Sequence, residues 1–135
     1  RFESIGANLL QVNTIAQSDQ SGIANPLGEV VKDATGWQTL WTQYVGNQQP
    51  APALPAVDFN QRMVAAVALG RRPSGCEVMR DVTVWRSHGR IRIAHYDMVP
   101  GPTTACAAVT IAPAALLDLP RSDDAVEFIG IPTPL

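Results

Sequence analysis

Residues 63–69 (MVAAVAL) are apolar at every position, so an extended segment there would be hydrophobic on both faces, the pattern of a strand covered on two sides. The run ends in GRRPSG at 70–75, a turn-forming stretch that leads into Cys76. A different period appears upstream. Trp37, Leu40, Trp41 and Tyr44 recur at i, i+3, i+4 and i+7, which predicts a helix, with Asp33 and Thr35 as candidate N-caps and Gly46 and Asn47 as its stop. Ala65, Ala66 and Ala68 are small enough to admit Trp37 and Trp41 close to the strand backbone, so the helix is expected to lie on the sheet.

The remaining elements are extended. Residues 8–17 (NLLQVNTIAQ) predict one strand, turned by SDQSG at 18–22. Asn25, Pro26 and Gly28 confine the next strand to 29–32, at an edge. The proline-rich 48–56 (QQPAPALPA) cannot join a central ladder and is expected to run extended over the surface. Residues 77–86 and 90–97 form a hairpin: Val78, Val82 and Val84 share one face, as do Ile91 and Ile93, and both sets look inward if the loop has an even number of residues, for example 86–89. That register sets Arg80 opposite His95 and Val78 opposite Asp97. Residues 99–104 (VPGPTT) form a second turn, Pro113 marks an edge or break before 114–119, and 125–130 (AVEFIG) is the closing strand ahead of a loosely held proline tail. The predicted fold class is α+β, a mostly antiparallel β-sheet packed against one main α-helix.

Composition narrows the function classes. A chain of 135 residues fits a single domain, 1–135, able to bury roughly two-thirds of its unfolded surface. With 16% charged residues and a net charge of -2 there is no basic field to collect nucleic acid, and no apolar run reaches the roughly 20 residues of a membrane span. Arg1 is consistent with a trimmed chain whose targeting segment lies elsewhere. Cys76 and Cys106 suit one disulfide in an oxidising compartment better than two buried thiols or a catalytic thiol.

No catalytic set follows from the residue pattern. Two histidines are available: His88 sits in a Ser87-His88-Gly89 turn, and His95 with Asp97 offers two metal ligands where a zinc site needs more, so neither a metal nor another cofactor is expected. Arg80, His95 and Asp97 form a candidate polar corner. The turn of Arg71, Arg72, Pro73, Ser74 and Gly75 is the candidate partner-binding element, presenting charge on a restricted backbone.

The order of several short motifs resembles the PrcB family of bacterial protease complex subunits: Ser21-Gly22-Ile23, the GWQTLW helix, Val57-Asp58-Phe59 before Met63-Val64, Gly70 to Gly75 after the strand, Pro100-Gly101-Pro102, and a late strand after Pro113 leading to Val126-Glu127-Phe128. The likeness spans residues 21–128. It implies a non-enzymatic domain, secreted, periplasmic or lipid-anchored to the bacterial envelope, that supports or stabilises a partner protein, an extracellular protease complex. Cys76 stands near a position where the family has tyrosine, which supports a bridge to Cys106. The Pro-Ser-Gly turn also resembles that of chagasin-type inhibitors. Protease inhibition through a wedge at 71–75 is therefore the alternative, with small-ligand binding in the envelope behind it.

Overall fold

A computed structural model describes residues 7–135 as three layers: one helix, then two four-stranded sheets. Strands β1 (Ala7–Leu9), β5 (Met79–Ser87), β6 (Arg90–Val99) and β8 (Ala125–Pro134) form one sheet in the order β1-β5-β6-β8. Strands β2 (Asn13–Ser18), β7 (Ala114–Pro120), β4 (Arg62–Leu69) and β3 (Pro26–Val31) form the other in the order β2-β7-β4-β3. Neighbours are antiparallel except β6 and β8, which run parallel.

The doubly apolar segment is the interior strand β4, and its two faces serve two cores. Val64, Ala66 and Ala68 pack under the helix α1 (Ala34–Tyr44) with Trp37, Leu40, Trp41 and Tyr44. Met63, Ala65, Val67 and Leu69 face the other sheet, against Met79, Val84, Ile91 and Ile93. Ala65 thus makes room for the opposing sheet rather than for the tryptophans. The α1 cap is Asp33, whose Oδ1 accepts from the Gly36 amide at 2.7 Å. The aromatic stripe also explains the proline segment. Trp37 Nε1 donates to the Pro55 carbonyl at 2.8 Å and Trp41 Nε1 to that of Pro52 at 3.0 Å, so indoles that bury their rings in the core clip residues 52–55 across the helix.

Three boundaries differ from expectation. The single strand expected at 8–17 is two strands in different sheets, β1 on β5 and β2 on β7, because Leu10 and Val12 dip between the sheets where the chain crosses over. Strand β3 continues through Gly28, whose bare Cα faces Phe128 of the opposite edge: a Cβ there would stand 3.0 Å from the ring. Finally, the proline tail, expected to be loosely held, continues β8 to Pro134, with Pro132 and Pro134 tolerated at an edge; the break expected at Pro113 does stand before 114–119, and the strand that follows, β7, is interior and paired on both sides.

The cysteines form the Cys76–Cys106 disulfide, 30 residues apart in sequence. Closing such a loop stabilises by about 3 to 4 kcal/mol through the unfolded chain. A thiol assay of unreduced, denatured protein should find no reactive thiol. Trp37→Ala should lower stability by about 3 to 5 kcal/mol in urea unfolding, against less than about 0.5 kcal/mol for Gln38→Ala on the exposed face of α1.

Candidate functional site

The turn expected to carry function lies at the end of β4, and its backbone is held from three directions. Gly70 takes φ +76°, and a Cβ there would stand 2.8 Å from Pro26 Cδ, so the chain turns closely against the start of β3. The Arg71 amide donates to Ala24 O at 3.0 Å. Arg72 and Ile111 exchange both backbone bonds, at 2.8 and 2.9 Å, and the Gly75 amide donates to Ala107 O at 3.0 Å. The disulfide then ties residue 76 to 106. Residues 71–75 and 105–111, both outside the strands, are thereby joined into one lobe.

Arg71 and Arg72 leave this lobe in different directions. Arg71 is exposed and lines a cleft of about 480 Å³ between residues 20–24, the end of α1 and residues 110–112. Arg72 is half-buried over a smaller depression of about 160 Å³, shared with Leu69, Glu77, Asp97 and Pro132. Its guanidinium stands 4.0 Å from Glu77 Oε1, and its buried Nε has no hydrogen-bond partner among the described residues.

The depression meets the predicted polar corner. His95, 5% exposed, and Asp97 continue the inward face of Ile91 and Ile93, and His95 Nδ1 lies 2.6 Å from Asp97 Oδ1. A carboxylate oxygen accepts, so Nδ1 is the donor of this pair. Gly130 of β8 lies beside the pair: a Cβ there would be 2.8 Å from Asp97 Oδ2 and 3.0 Å from His95 Cε1. Orientation of an imidazole by a carboxylate is the second half of a catalytic triad. Among the described residues no serine or cysteine is hydrogen-bonded to Nε2, and no group of three or more His, Cys, Asp and Glu could hold a metal.

Arg80 does not join the corner. It is exposed and opposite Tyr96, while Asp97 pairs with Met79 rather than Val78. Two causes add. The loop is His88 and Gly89 alone, both with positive φ, which moves the register by two residues relative to a four-residue loop. A bulge between Arg80 and Thr83, with Asp81 at φ +53°, then exchanges the two faces, so Met79 points inward. The arginine that shares a depression with Asp97 is instead Arg72, brought from the turn that the sequence pattern had treated separately.

The walls of the larger cleft are the part that sequence reasoning missed. Ser21 Oγ donates to Ala112 O at 2.7 Å, the Gly22 amide donates to Tyr44 O at 2.9 Å, and Asn47 Nδ2 donates to Gln20 O at 2.8 Å. Gly22 is obligatory because a Cβ would stand 2.4 Å from Gln43 O. The Ser21-Gly22 pair was visible in sequence as a turn and as part of the PrcB-like motif order, and Gly46 and Asn47 as a helix stop, but none of them as a cleft wall.

Gly130→Ala should push Asp97 from His95 and destabilise by about 1 to 3 kcal/mol, with loss of the hydrogen-bonded His95 Nδ1 proton resonance; unchanged stability and an unchanged resonance would contradict the packing described. Compared with protein-family models, with curated proteins and with solved structures, the chain gave no match in any of the three.

Proposed function

We propose that this is a non-enzymatic bacterial envelope domain that binds and supports a partner protein through the turn at 71–75. The supporting observation is the way that turn is held. Backbone bonds to Ala24, Ala107 and Ile111 and the disulfide fix it while Arg71 and Pro73 stay exposed. A contact loop ordered before binding loses less conformational entropy on association, and arginine is a favoured anchor at protein interfaces. The disulfide is compatible with an extracellular location, and no helix among the described residues is long and apolar enough to cross a membrane. Secretion or lipid anchoring, and a protease complex as the partner, are carried by the PrcB resemblance of the motif order.

The same fixed turn suits the second reading, in which residues 71–75 wedge into a protease cleft. One experiment addresses both. Envelope proteins captured on the wild-type domain are compared with those captured on the Arg71→Glu/Arg72→Glu variant, and each captured protease is assayed with excess domain. The proposal expects a partner lost from the variant and a captured protease whose activity persists or whose lifetime is extended. Equal capture by both proteins would overturn the role of the turn, and stoichiometric loss of activity would establish inhibition instead.

A further inference from the structure

The cleft beside Arg71 is lined partly by Gly22, Gly46, Ala24, Ala112 and Ile111, and its polar side chains are nearly all uncharged. Among the described residues lining it, Gln20, Gln43 and Asn47 supply amides, Thr110 supplies a hydroxyl, Arg71 supplies the only charge, and there is no Asp, Glu or aromatic residue. Its volume, about 480 Å³, falls within the range of about 300 to 1,000 Å³ of ligand-sized sites. Its walls are locked to one another by the Ser21, Gly22 and Asn47 bonds and by the Arg71 amide on Ala24, so the cleft exists before anything enters it.

That chemistry selects a class of ligand. A single guanidinium with no carboxylate among the described residues around it favours an anion, and its planar fork matches a carboxylate. Amides that both donate and accept match the alternating N–H and C=O of an extended peptide. We propose that the cleft binds an extended peptide segment carrying a carboxylate, seated on Arg71, with its backbone paired to the side-chain amides of Gln20, Gln43 and Asn47. A sugar acid offers the same charge, but none of the described residues lining the cleft offers an aromatic face on which a sugar ring could stack. The inference rests on the reading of residues 71–75 as a partner contact and specifies what Arg71 recognises there. Arg72, which approaches Glu77 over the other depression, takes no part.

The test is an NMR titration of the ¹⁵N-labelled protein with four probes: acetyl-tetraalanine with a free carboxylate, an acetylated and amidated Ala-Ala-Glu-Ala, acetyl-tetraalanine amide, and glucuronate. Saturable shifts at Gly22, Gly46, Asn47 and Arg71 are expected with at least one of the two carboxylate peptides, about tenfold or more tighter than with the neutral amide. The first two probes distinguish a chain terminus from an acidic side chain as the source of the carboxylate. Arg71→Gln should remove that advantage while keeping a dispersed spectrum, and Arg72→Gln should preserve it. Silence with both carboxylate peptides, equal affinity for the neutral amide, or saturation by glucuronate alone would overturn the proposal. Silence here alongside capture that still depends on the turn refutes the cleft and leaves the contact reading standing. Saturation here with capture indifferent to the turn does the reverse.

Discussion

Everything in this fold depends on one strand having to satisfy two cores at once. Strand β4 lies between β3 and β7 and between two hydrophobic layers, so each of its side chains is constrained by what it meets above or below. The even positions Val64, Ala66 and Ala68 must be short, because two tryptophans and a leucine from α1 lie on them. The odd positions Met63, Ala65, Val67 and Leu69 fill the space between the sheets. A one-residue slip would exchange the sets and place Met63 and Leu69 under the indoles. The register with β3 and β7 is correspondingly unbroken along β4.

The same strand positions the turn at 70–75 without stabilising it. Where β4 leaves the cores at Leu69, the chain turns at Gly70, and from there order comes from a few backbone bonds and the disulfide. Arg71 and Arg72 are neighbours in sequence yet serve separate depressions, one walled by amides and hydroxyls, the other by Glu77 and Asp97. A stable scaffold carrying a separately clamped loop is a common division of labour, since loops can carry recognition when the scaffold fixes where they begin and end.

Much of the scaffold was legible in the sequence because its signals are local and periodic. The 3.6-residue stripe of Trp37, Leu40, Trp41 and Tyr44, the Asp33 cap and the apolar run of β4 each fix an element independently of distant neighbours. The errors arose where geometry depends on partners far along the chain. Leu10 and Val12 look like strand residues whether or not the chain crosses between sheets, and Gly28 looks like a breaker until Phe128 is placed against it. The hairpin at 77–97 shows the same limit: the pattern required an even loop, but could not choose two residues over four or announce the bulge at Asp81. Of the site, the turn and the His95–Asp97 pair were legible. Their junction through Arg72, and the cleft built from Ser21, Gly22 and the end of α1, were not, because no local pattern links residues about 90 positions apart such as Ser21 and Ala112.

The central claim, that two cores hold β4 while the disulfide holds the turn, is tested most directly by native-state amide hydrogen exchange with and without reductant. Reduction should accelerate exchange at Arg72, Gly75 and Ile111 and leave the amides of β4 among the slowest in the molecule. Loss of β4 protection together with the turn, or full protection of the turn after reduction, would contradict that separation.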